Sequence, residues 1–142
     1  MINSTDIYEE YKKRNPGTDI TYQLFKYTLD NYNKGIVEAL LQGKTFNIGN
    51  KLGRIRIKKF VRNFKRKTVD WGETNKIKAQ GINKLIYYTD EYYYGFAWEK
   101  RYCTVKNKSV YKFKPAGGKR GPKKLLITLL KENDMNHLNF KE

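Results

Sequence analysis

The chain's 142 residues suffice for one domain with an extension, and 39% hydrophobic content allows a core without making it generous. One Cys excludes an internal disulfide and a cysteine-rich zinc site, and one His gives a metal site or a histidine-based acid–base mechanism little to work with; Cys103 reads as a packed strand residue and His137 as part of a polar tail. The net charge of +16 points to a polyanionic partner, because cations that neutralise phosphates release condensed counterions.

In chain order, Ser4, Thr5 and Asp6 offer helix-capping oxygens, and Ile7, Tyr8 and Tyr11 follow at helical spacing until Asn15-Pro16-Gly17 stops the run. Thr18 and Asp19 are read as caps of a second, longer helix. In it Ile20, Leu24, Thr28, Tyr32, Ile36 and Leu40 recur every four residues while Phe25, Leu29, Val37 and Leu41 widen the stripe, and Gly43 ends it. So wide a stripe needs more covering than the short first helix supplies. A homo-oligomer is therefore expected, with Leu24, Tyr32, Ile36 and Leu40 at its interface.

Lys44 to Ile48 and Arg54 to Val61 read as a hairpin turned at Gly49 to Gly53. Arg54-Ile55-Arg56-Ile57-Lys58 alternates cations with β-branched residues, a period of two that puts one face on a core and a row of charge on the other. From Asn63 to Asn83 the periodicity fails, and a loop is expected. Leu85 to Tyr88 and Tyr92 to Glu99 suggest a second hairpin around Thr89-Asp90-Glu91, and Val110 to Lys114 a last strand closed by Pro115. Within the second hairpin, alternation sets Tyr93 opposite Tyr92 and Tyr94, which favours a sheet packed on both sides; Tyr92 and Tyr94 are taken as further interface residues. Pro122 suits a helix N-terminus, and Leu125, Leu126, Leu129 and Leu130 form the apolar face of a short final helix. Asn133 to Glu142 reads as a frayed polar tail.

Charge is segregated along this order. From Ala39 to Val69 there are ten Lys or Arg and no acid, and from Lys100 to Lys131 eleven and again no acid. The candidate phosphate contacts are Arg54, Arg56, Lys58, Lys59, Arg62, Lys65, Arg66 and Lys67 in the first window and Lys112, Lys114, Lys119, Arg120, Lys123 and Lys124 in the second. A single Lys run is commonly a solvated face; an excess of this size favours double-stranded DNA, held by non-specific phosphate contacts, over an anionic membrane surface or an acidic protein. Twelve Tyr and seven Phe add half-buried aromatic edges suited to contacts with other chains. The first residues hold no signal sequence and no apolar run reaches membrane-spanning length, so a soluble protein made in a cytosol is expected.

Three segments carry a family resemblance. Thr5-Asp6-Ile7 opens the first helix, Gly35-Ile36-Val37-Glu38-Ala39-Leu40-Leu41-Gln42-Gly43-Lys44 closes the second, and Gly53-Arg54-Ile55-Arg56-Ile57 forms a Gly-rich turn and basic strand. With Phe113-Lys114-Pro115-Ala116 and the helix from Pro122, their order resembles the HU/IHF family of DNA-bending proteins. The resemblance implies an α+β fold: two N-terminal helices, a basic antiparallel sheet with an arm, and a short C-terminal helix, as one domain over 1–132 with the tail 133–142. The family's arm carries a proline wedge that unstacks bases, whereas the equivalent 63–111 is enlarged, rich in Tyr and without Pro. The chain is also similar to the IHF-subunit-like proteins encoded among the virion genes of crAss-like tailed phages. That similarity implies a virion protein made in the host cytoplasm, a ring subunit near the portal or tail with neighbouring ring, portal or tail subunits as partners. The alternative is a DNA-binding architectural or regulatory protein acting outside a particle.

Catalysis finds little support in the sequence. Asp70, Glu73, Asp90, Glu91 and Glu99 are the only acids of the central region, Trp98-Glu99-Lys100 lacks the Glu-x-Lys spacing of restriction-type nucleases, and Gly117-Gly118-Lys119-Arg120-Gly121 lacks P-loop spacing. Neither an enzyme nor a cofactor or metal requirement is expected.

Overall fold

Asn3, not the residues after it, opens the first helix. Its side chain accepts the Thr5 and Asp6 amides while the Asp6 carboxylate accepts the Asn3 N–H at 2.8 Å, a reciprocal cap that satisfies amides left over by the first turn. The computed structural model describes residues 3–49, 51–118, 121–132 and 140. Its elements are α1 (Ser4–Arg14), α2 (Tyr22–Leu41), β1 (Phe46–Asn47), β2 (Leu52–Val61), α3 (Trp71–Ala79), β3 (Tyr92–Cys103) and α4 (Pro122–Glu132). The sheet is antiparallel in the order β1-β2-β3, so the chain is α+β. His137, Lys119 and Arg120 lie outside the described residues, as does most of the expected tail. Among the described residues no helix is long and apolar enough to cross a membrane.

α2 begins later than its spacing suggests. Thr21, rather than Thr18 or Asp19, accepts the Leu24 amide. At the other end Gly43 takes φ +82° and donates to the Leu40 carbonyl at 2.9 Å, while Lys44 donates to Ala39 at 3.0 Å. That is a Schellman closure, open to Gly because it has no Cβ to clash in the left-handed region.

Two apolar clusters result. Tyr8 and Tyr11 of α1 meet Tyr22 and Phe25 of α2 with ring centroids 5.2–5.4 Å apart, and the Tyr8 hydroxyl donates to the Ile20 carbonyl at 2.8 Å. The main core lies elsewhere: Leu40, Ile57, Leu126, Leu130 and Phe140, with Ile36, Leu41, Phe46, Ile55, Tyr94, Phe96 and Leu129 packed against it. α4 thus closes one face of the sheet over the C-terminal half of α2. Phe140, expected in the frayed tail, belongs to this core; its ring is 5.6 Å from that of Tyr94.

β3 does not pair with the segment just before it. It runs back along β2 from Val61↔Tyr92 to Leu52↔Cys103, and the register slips between Leu52 and Arg54. At that slip Gly53 has φ +92°, and a Cβ there would sit 2.7 Å from the Glu99 carbonyl oxygen. The Trp98 indole N–H donates to the Leu52 carbonyl at 2.7 Å and pins the bulge.

The expected strand Leu85 to Tyr88 instead contributes to a small module at the tip of the β2–β3 ribbon, over 62–91. Val69 bridges Tyr87, and the Asp70 amide donates to Ile86 at 2.8 Å. Where a loop was expected, α3 starts at Asp70, whose carboxylate accepts the Gly72 and Glu73 amides. Thr74, on the inner face of α3, is fully buried and its hydroxyl accepts the Ile86 amide at 3.0 Å. No strand forms over 110–114; the chain from 104 to 117 is irregular.

Candidate nucleic-acid interface

Alternation along β2 sorts its side chains as expected. Ile55 and Ile57 enter the core with Phe96 and Tyr94, while the cross-strand pairs Arg54↔Glu99, Arg56↔Ala97 and Lys58↔Gly95 occupy the other face. On that face Phe60 stacks on Tyr93 at 5.2 Å and lies over Gly95, its ring 3.5 Å from where a Cβ would be. Arg56, Lys58, Phe60, Ala97, Trp98, Glu99, Lys100 and Arg101 line a shallow, open depression of about 550 Å³.

Glu99, one of the five central acids, is placed beside this row of cations by the sheet. Its carboxylate is 2.8 Å from Arg56 Nε, with the two side chains only 12% and 23% exposed. Nothing local marks it in the sequence, because its partner is set by the β2–β3 register across more than forty residues.

The other predicted contacts are dispersed. Lys59 is on the core-side face, its ammonium 3.8 Å from the Tyr92 ring centroid, so the strand does not present it beside Arg54, Arg56 and Lys58. Arg62 is clamped in the tip, over Tyr88 at 4.3 Å and Tyr93 at 5.3 Å, with Nε donating to the Asp90 carbonyl at 3.0 Å. Lys65, Arg66 and Lys67 follow it as an exposed run. Lys112 and Lys114 are exposed on the irregular return segment, and Lys123 and Lys124 are exposed in the first turn of α4, where the helix dipole disfavours cations. The site is therefore a central groove, a basic tip and separate basic patches.

Of the six predicted interface residues, the chain uses several itself. Leu40 is 3% exposed, Ile36 packs on the same core, and Tyr94 lies against Phe140, because α4 and the sheet cover the C-terminal half of the α2 stripe. Tyr92 lies under Lys59. Leu24 at 54% and Tyr32 at 61% exposure remain on the surface, joined by Tyr27, which the four-residue repeat passed over. The tip adds exposed Phe64, Trp71, Tyr87 and Tyr88. Partial burial of its ring, and then the Asp70 carboxylate, raise the Tyr88 hydroxyl above the ordinary tyrosine value.

Comparison with protein-family models, curated proteins and solved structures finds no match to this chain.

Proposed function

We propose that the chain is an assembly subunit of a tailed-phage particle, HU/IHF-like in fold, forming a ring at the head-to-tail connection with its basic face near packaged DNA. One observation carries the assembly half of this reading: among the described residues, far more large apolar side chains are exposed than buried, with Leu24, Tyr27 and Tyr32 on α2 and Phe64 and Trp71 on the tip. A chain that leaves this much apolar surface in water is suited to burying it against other chains. The order of two helices, a three-stranded sheet and a final helix supports the family resemblance, as does the ribbon made of β2 and β3, although α3 is inserted between those two strands. The groove between Arg56, Lys58 and Arg101 supports the DNA half.

Native mass spectrometry and negative-stain microscopy of the purified chain test the reading, beside peptide mass spectrometry of intact phage particles. Closed oligomers and the chain's presence in particles are expected. A chain that stays monomeric, is missing from particles and shifts duplex DNA in gels at moderate salt would favour the second reading, an architectural DNA-binding protein. The outward cations of β2 and the Lys65-Arg66-Lys67 run are what favour that alternative.

A further inference from the structure

β3 is an edge strand, and from Tyr92 to Trp98 it carries neither a charged residue nor a proline, the devices that commonly protect a sheet edge. Its ladder with β2 runs unbroken from Val61↔Tyr92 to Arg54↔Glu99. One step beyond Val61, the Arg62 amide donates to the Glu91 carbonyl at 2.8 Å. Bonded and non-bonded pairs alternate along an antiparallel ladder, so Lys58↔Gly95 and Arg56↔Ala97 are bonded pairs and Lys59↔Tyr94, Ile57↔Phe96 and Ile55↔Trp98 are not. Tyr94, Phe96 and Trp98 therefore turn their amides and carbonyls away from β2. Among the described residues these backbone groups meet no hydrogen-bond partner, although all three residues are half-buried.

We propose that this edge is a contact between copies of the chain, two β3 strands pairing antiparallel about a two-fold axis at Phe96. That register alone gives each of the three residues an opposite from the same set: Tyr94 meets the partner's Trp98, and Phe96 the partner's Phe96, so every unpaired amide and carbonyl among them finds a complement. On the other face Gly95 meets the partner's Ala97, and Tyr93 meets the partner's Glu99. Small residues thus oppose small ones and no like charges stand opposite each other. Two copies of a chain with a net charge of +16 repel over most of their surface; the uncharged stretch from Tyr92 to Trp98 is where they can approach. The inference rests on the assembly half of the function proposed above and supplies its contact, one sheet running through both copies. Exposed Leu24, Tyr27 and Tyr32 on α2 are then left to join pairs into larger assemblies.

Residue-resolved hydrogen exchange on the wild-type chain, dilute and assembled, tests the pairing directly. The Tyr94, Phe96 and Trp98 amides should exchange at least about tenfold more slowly in the assembled state, while the Gly95 and Ala97 amides, bonded to β2, are protected in both. A second measurement reads the register. Gly95→Cys combined with Ala97→Cys places thiols on opposite residues of a non-bonded pair, with Cα atoms about 4.5 Å apart and so within disulfide reach; Gly95 accepts a Cβ in ordinary contact with Phe60 at 3.5 Å, and Cys103, 4% exposed, does not compete. Mild oxidation should give a cross-linked pair on a non-reducing gel, and Ala97→Cys alone should give little. Oligomers in which the three amides exchange as fast as in the dilute chain overturn the inference and leave the assembly reading standing on α2. Protection of those amides already in the monomer overturns it as well, because the edge then has a partner in its own chain. A folded double variant that does not cross-link overturns the register and the inference with it; if that variant fails to fold, exchange on wild type decides. A wild-type chain that is monomeric at every concentration overturns both the inference and the assembly half of the proposed function.

Discussion

Leu24 and Leu40 belong to one repeat on one helix, yet the structure gives them opposite fates, and two substitutions separate them. Leu24 is 54% exposed. Full burial of a leucine is worth ~2–3 kcal/mol, so assembly stands to gain about 1 kcal/mol per copy at this position. Leu24→Asp removes that gain and asks the interface to bury an unpaired carboxylate, at a further cost of several kcal/mol. Association should weaken by about 4 kcal/mol or more, roughly a thousandfold. The dilute chain should barely notice, with a change within about 0.5 kcal/mol as for other surface sites. Leu40→Ala acts the other way: deleting a buried leucine side chain costs ~2–5 kcal/mol of chain stability through lost transfer energy and an incompletely closed cavity. Light scattering across a concentration series reads assembly, and urea unfolding below the association range reads the chain. If Leu24→Asp lowered the urea midpoint as far as Leu40→Ala, or assembled like wild type, the division of α2 into a core half and an assembly half would be wrong.

Other expectations follow from single geometric features. Arg54→Ala, Arg56→Ala and Lys58→Ala together should flatten the duplex salt slope by about 2 rather than about 3, because Glu99 already neutralises Arg56; a salt titration on two unrelated duplexes measures it, and strong preference for one duplex would argue against phosphate-dominated contacts. Gly53→Ala should destabilise the chain by about 3 kcal/mol in urea, combining left-handed strain with a Cβ 2.7 Å from the Glu99 carbonyl oxygen, and a change below about 0.5 kcal/mol would contradict the bulge geometry. The Tyr88 hydroxyl is raised by burial and by Asp70, so its contribution to stability is complete below the unfolded tyrosine pKa and is lost as pH rises through the higher folded value. Thermal melts should therefore show wild type losing more stability than Tyr88→Phe above about pH 10, and parallel losses would detach Tyr88 from the alkaline limb.

What the sequence reveals depends on how locally each element is determined. Arg54-Ile55-Arg56-Ile57-Lys58 shows its face assignment without any partner, since strand alternation alone separates Ile57 in the core from Arg56 outside it. The Schellman glycine and the Leu126 and Leu130 face of α4 are equally local. α3 has no apolar stripe to show in the sequence, since Trp71 and Ile77 make none, although Asp70 followed three residues later by Glu73 is itself a helix-start signal. The pairing of β3 is hidden for a different reason: Thr89-Asp90-Glu91 resembles a tight reversal, while the partner of Tyr92 is Val61, across the whole tip. The role of Glu99 and the withdrawal of Leu40 from the surface both depend on contacts between distant segments, which periodicity does not encode.

The tip module also bears on how the ribbon can form at all. β2 and β3 are separated by about 30 residues, and closing so long a flexible loop costs ~3 kcal/mol in chain entropy before any ladder bond repays it. Thr74 holding Ile86 and the Val69–Tyr87 bridge are contacts of shorter sequence separation, which can form first. Once they have, Arg62 and Glu91 stand within a 2.8 Å hydrogen bond of each other, and the strands can zip from that end toward Gly53. The module at the tip of the ribbon is thus suited to act as its folding nucleus, and damage to it should slow acquisition of the sheet more than it speeds the sheet's loss.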